Sequence, residues 1–227
     1  MKPFFLAPSL ALWIVSTALM GSSPAENGSR PSSTPTVVED VRAYTLANGM
    51  RVLLNPDPAS SKVAFLMVYF VGSRHEGLGE RGMAHLLEHL LFKGSPKFPD
   101  PAQELKERGA FSNASTWTDR TIYFEEMVST SENIDFALRF EADRMQNALI
   151  GDPALASEMT VVRNEFEMKE SDPLEIVLQS LMAGGYTWHP YGAATIGNRS
   201  DIERVPGENL RRFYKHFYRP SNAMLIV

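Results

Sequence analysis

The run Met83-Ala84-His85-Leu86-Leu87-Glu88-His89-Leu90-Leu91-Phe92 constrains this chain more than any other stretch. Its residues are good helix formers, and no turn residue interrupts them before Gly94. Leu86, Leu87, Leu90, Leu91 and Phe92 make the helix apolar, so the fold must bury it. Burying His85, Glu88 and His89 with it costs several kcal/mol unless these groups are paired or bind a metal ion. Histidines four apart stand one turn above each other, so both imidazoles project to one side. A chance histidine pair on a polar helix face is the competing reading. The apolar flanks, and a total of only five histidines in the chain, weigh against it.

The chain has no cysteine, which rules out a disulfide framework and a thiolate zinc site. Any transition-metal site must use His, Asp and Glu. His85-x-x-Glu88-His89 is the mirror order of the H-E-x-x-H arrangement. Two neutral imidazoles hold one zinc ion well, and Glu88 lies on the same arc, within reach of a water beside it. A catalytic site needs a third protein ligand and an open position. The helix opened by Asp152-Pro153 offers Glu158, Glu165 and Glu167. Glu158 and Glu165 are seven apart and share a face; Glu167 points the opposite way. Spacing alone leaves zinc ligands and ordinary solvated acids evenly matched.

Around this centre the elements are mixed without regular alternation, which favours an α+β fold with a mixed sheet packed against helices. Tyr44 to Leu46 and Met50 to Leu54 flank Asn48-Gly49, a hairpin signal. Val63 to Val71 reads as a buried strand. A short helix is expected over Pro101 to Arg108, and two strands or one bent strand over Phe111 to Val128. Ser131 is expected to cap one helix and Asp152 another. A further helix runs to Gly184-Gly185, then one over Asn209 to Phe217, then a strand over Ala223 to Val227. Trp117 and Trp188 read as core residues.

The 227 residues carry a net charge of −5, with no basic face suited to nucleic acid or an anionic membrane. Residues 1–25 read as an export signal: Lys2, an apolar run from Phe4 to Met20, and Ser23-Pro24-Ala25 as a small-x-small cleavage site. The run is short for a membrane span of about 20 residues, so an uncleaved anchor is the lesser reading. Residues 26–40, rich in Ser and Pro at first, read as a flexible leader, and 41–227 as the folded domain. The mature protein is then periplasmic or secreted, with no stable membrane span.

His85-Leu86-Leu87-Glu88-His89, followed by Glu158-Met159-Thr160-Val161-Val162-Arg163-Asn164-Glu165, resembles the paired signatures of the insulinase (pitrilysin, inverzincin) family of zinc metallopeptidases, which includes the mitochondrial processing peptidases. Leu46 to Val52, Gly72-Ser73, Glu76, Asn113-Ala114 with Thr116 and Tyr123, His189 to Gly192 and Phe217 to Ala223 are similar to its other landmarks. The resemblance spans about Val41 to Val227 and implies the catalytic N-terminal half. It implies one zinc ion held by His85, His89 and Glu165, with Glu88 as general base and Glu158 orienting the site. Asn113 and Ala114 would hold an extended peptide or small-protein substrate. Met159 departs from the family's usual basic residue and is expected to touch only the surface. Family members continue into a second, similar half that closes over the substrate. The expectation is that this half is absent here, that a partner chain or domain supplies it, and that the apolar strand at Ala223 to Val227 offers an exposed edge. The alternatives are a non-catalytic or partner-dependent subunit of the same fold, and a structural zinc module closed by a fourth ligand such as His75.

Overall fold

The computed structural model describes residues 36–38 and 40–227. The expected export signal and most of the expected leader lie outside the described residues. Strands β1 (Thr36–Val38), β2 (Val41–Thr45), β3 (Arg51–Leu54) and β4 (Lys62–Tyr69) come first, followed by helices α1 (Met83–Leu90) and α2 (Pro101–Glu107). Then come β5 (Phe111–Thr116), β6 (Thr121–Val128), α3 (Ser131–Asn147), α4 (Asp152–Glu170), α5 (Pro173–Gly185), α6 (Arg199–Ile202), α7 (Gly207–Phe217) and β7 (Ala223–Ile226). One sheet holds all the described strands in the order β1-β2-β3-β7-β4-β6-β5. The fold is α+β, as the mixed pattern predicts.

The leader reading is too long at its C-terminal end. Thr36–Val38 pairs antiparallel with β2, so ordered structure begins before Val41. The β2–β3 hairpin turns at Asn48-Gly49, where Gly49 has φ +86°, the left-handed conformation that this residue pair tolerates. Phe111 to Val128 is two strands joined by a tight turn, in which the Trp117 N–H donates to the Arg120 carbonyl at 2.8 Å. The starts of α3 and α4 differ from expectation by one residue, and α7 begins at Gly207, two residues before the expected Asn209. Thr130, not Ser131, caps α3, its Oγ1 accepting from the Asn133 N–H at 3.2 Å. Gly151 precedes α4, and Asp152 is its first helical residue.

The expectation of an exposed edge at the last strand is overturned. β7 lies inside the sheet, parallel to β3 and antiparallel to β4. Its apolar sequence follows from that central place, since a strand flanked on both sides has no wet edge. The free edge beside α1 is β5, which among the described strands pairs only with β6.

On β4 and β6 the buried side alternates with period two. Phe65, Met67 and Tyr69 pair across the ladder with Glu125, Tyr123 and Thr121, all turned to one core. Glu125 in that row meets Arg144 from α3, which also pairs with Glu141. All three groups are buried, and the Arg144 guanidinium lies over the rings of Tyr123 and Phe140. Helix α1 packs against α4 and β5. Leu86, Leu87, Leu90 and Leu91 are fully enclosed. Gly82 starts α1 at φ +96°, and a Cβ there would sit 2.6 Å from the Ile196 carbonyl oxygen. Only glycine lets the 196–197 segment lie so close to the start of this helix.

Candidate metal centre and cleft

His85 and His89 leave α1 one turn apart, and their Nε2 atoms are 3.4 Å from each other. Glu165 reaches across from α4, its Oε2 lying 3.5 Å from His85 Nε2 and 3.6 Å from His89 Nε2. Among the described residues these three form a group of ligand-type side chains close enough to share one ion. A tetrahedral zinc ion with bonds of about 2.0–2.1 Å separates its ligand atoms by roughly 3.4 Å. The three donors thus stand at the spacing zinc imposes, and the set of two imidazoles and a carboxylate suits it.

Two features shape the imidazoles, one acting on each. Glu158 Oε2 accepts from His89 Nδ1 at 3.1 Å, which puts the proton on Nδ1 and leaves the Nε2 lone pair toward Glu165. Glu158 is buried and in turn bonds Lys93 Nζ through Oε1 at 2.5 Å. His85 is pushed down to about 3, chiefly by burial. It is therefore neutral throughout the physiological range.

Glu88 is buried between the metal trio and β5. Thr116 Oγ1 donates to its Oε2 at 2.5 Å. Burial raises the Glu88 pKa, and the Thr116 hydroxyl opposes that shift. Glu88 and His85 line one end of a cavity of about 390 Å³, with Ala114, Trp117, Lys169, Leu178 and Tyr191 among its other walls. Of the two expected substrate contacts, Ala114 lines this cavity; Asn113 is exposed and covers the Ala114 N–H with its Oδ1 at 2.8 Å.

Other expectations divide. Glu167 turns away and pairs with Arg199 at 3.5 Å. His75 is not beside the metal trio: its Nδ1 meets the Gly72 backbone, and its ring packs on Phe217. His189 caps its own turn, accepting from the Tyr191 N–H. Trp117 and Trp188 are not core residues. Trp117 is 59% exposed on the cavity wall and Trp188 is 99% exposed. Met159 is partly buried against the core rather than a purely surface residue. Lys93, Lys169 and the contact of Thr116 with Glu88 escaped the sequence reading. Lys93 and Lys169 follow His89 and Glu165 by four residues, a helical spacing that carried the only available signal.

Fold and site together define a metallopeptidase-type domain, and comparison with known proteins gives the family. Residues 51–199 match the insulinase family of peptidases (peptidase family M16), and the chain belongs to it. It is 32% identical over 190 residues to the zinc protease PqqE of Helicobacter pylori, a match covering 82% of this chain and 42% of that protein. It is 32% identical over 193 residues to a probable mitochondrial-processing peptidase subunit beta of Schizosaccharomyces pombe, covering 84% and 42%. The crystal structure of a protease from Helicobacter pylori superposes with a TM-score of 0.76 at 30% identity, covering 82% of this chain and 45% of that one. The chain thus spans less than half the length of these relatives.

Proposed function

We propose that this chain is the metal-bearing half of a zinc-dependent endopeptidase. The observation that carries the reading is the near-equilateral triangle of His85 Nε2, His89 Nε2 and Glu165 Oε2, with buried Glu88 beside it at the end of a cavity. A zinc ion there supplies Lewis acidity toward a peptide carbonyl and lowers the pKa of a water molecule. His85, His89 and Glu165 hold it, and Glu158 fixes the orientation of His89. Glu88 takes a proton from the attacking water and passes it to the leaving amine. The free edge of β5 pairs with an extended substrate, the Asn113 side chain giving way at the Ala114 amide.

A complementary half, in the same polypeptide or another, encloses the substrate and supplies much of the rate through positioning. The greater length of the relatives supports this, as do the exposed apolar side chains of α5. The apolar run at Phe4 to Met20 supports export from the cytoplasm.

The test is metal content and turnover together. The purified chain should carry one zinc per molecule, His89→Ala should lose most of it, and Glu88→Gln should keep it. Peptide cleavage, with a complementary half added, should vanish in Glu88→Gln. Full zinc in His89→Ala, or cleavage that survives Glu88→Gln, would refute the assignment.

A further inference from the structure

Thr116 is the last residue of the free-edge strand β5 and is buried. Its hydroxyl has one proton to give. Two oxygens lie near it: Glu88 Oε2 at 2.5 Å and Thr121 Oγ1 at 3.4 Å. The Thr121 hydroxyl already donates to the Val71 carbonyl at 2.9 Å. A carboxylate is the stronger acceptor and the nearer one, so the Thr116 proton goes to Glu88. With the Trp117 N–H bonded to the Arg120 carbonyl, ladder alternation turns the amides of Ala114 and Thr116 away from β6.

We propose that Thr116 is a positioning residue for Glu88. It anchors Oε2 of the carboxylate so that one oxygen stays free to take a proton at a fixed place relative to His85 and His89. The same strand presents Ala114, two residues earlier, to the cavity. One short segment therefore sets both where a substrate strand lies and where the base stands. The turn after Thr116 is itself pinned, since the Ser73 and Arg74 amides donate to the Trp117 and Thr118 carbonyls at 3.1 and 3.0 Å. Thr116 thus has little freedom to drift from Glu88.

The inference rests on the reading of Glu88 as the base, and its test keeps the two apart. The zinc-loaded chain is titrated by calorimetry with a peptidyl hydroxamate. Such a ligand gives up its proton to a neighbouring carboxylate on binding, so no turnover is needed. Thr116→Val keeps the shape and removes the donor; it should weaken binding roughly 10- to 100-fold, the worth of a hydrogen bond to a charged group. Zinc content should be unchanged. Thr116→Ser should restore affinity to within about threefold. In a Glu88→Gln background, Thr116→Val should have no further effect, because the hydroxyl acts through that carboxylate. Where turnover is measured, the loss should fall on kcat and not on KM. Wild-type affinity in Thr116→Val would overturn the inference, as would a Thr116→Ser variant as weak as Thr116→Val, or an equal loss in the Glu88→Gln background. Thr116→Ala serves as a second donor-free variant if the valine form does not fold. A zinc-loaded wild-type chain that ignores the hydroxamate would refute the proposed function and this inference with it.

Discussion

Glu158 stands between His89 and Lys93 with both oxygens engaged, one accepting from the imidazole and the other from the ammonium. Its removal takes away the group that holds the His89 ring and its tautomer. Glu158→Ala should therefore lower zinc affinity about 10- to 100-fold while leaving all three ligands in place. Competition with a chelator measures this, and unchanged affinity would show that packing alone orients His89. Residues of this kind differ in how far they could be read in advance. His85, Glu88 and His89 were legible because helical spacing is local and their apolar neighbours fix the burial. Glu158 and Glu165 were legible only as a pair on one face. Their choice over a solvated face depends on α4 packing against α1, which no short spacing encodes. The role of Thr116 in holding Glu88 was hidden because it depends on where the β5–β6 turn ends.

Helix α1 has no cap of its own, since Gly82 offers no side chain. The buried Glu76 carboxylate does that work from outside, accepting from the Gly82 and Ala84 amides at 2.9 and 2.8 Å. Burial nevertheless pushes its pKa up to about 7 from an ordinary 4.5. The folded chain thus binds this proton more tightly than the unfolded chain does. The contribution of Glu76 to stability is complete below about 4.5 and falls as pH rises through about 7. Glu76→Gln cannot titrate. The wild-type Tm should therefore drop relative to that of Glu76→Gln between these pH values, and a constant difference across the window would refute the shift. In α3, Arg144 is enclosed with Glu125 and Glu141. Arg144→Met leaves two buried carboxylates without their cation and should cost roughly 3–5 kcal/mol in denaturant unfolding. Replacing all three groups with apolar residues of similar volume should recover most of that loss. Most helices and strands were legible from periodicity. The starts of α3 and α4 slipped by one residue because adjacent Thr130-Ser131 and Gly151-Asp152 are both acceptable caps, and only backbone geometry chooses between them.

Helix α5 buries none of its residues, and Leu174, Val177 and Leu181 are 66%, 62% and 68% exposed. An apolar surface of this kind tends to find a partner. Replacing Leu174 and Leu181 with Gln should reduce self-association seen by light scattering and change stability by less than about 0.5 kcal/mol, since neither contact is internal. A large fall in Tm would show that the helix stabilises the fold from where it stands. At this scale the α+β class was legible, but the neighbours of the last strand were not, because strand order is a long-range property that apolar character alone does not convey. The central seat of β7 also constrains the order in which the sheet can close. Among the described strands, β1-β2-β3 and β4-β6-β5 meet only through it. As the chain emerges N-terminus first, β4, β5, β6 and the histidine-bearing helix are all available early and can assemble together. The hairpin made before them must wait, with Arg51–Leu54 unpaired on one side, until Ala223 to Ile226 have emerged. A nascent chain paused in that interval displays an open strand that a chaperone or a quality-control protease can grip, and the arrival of β7 removes that handle.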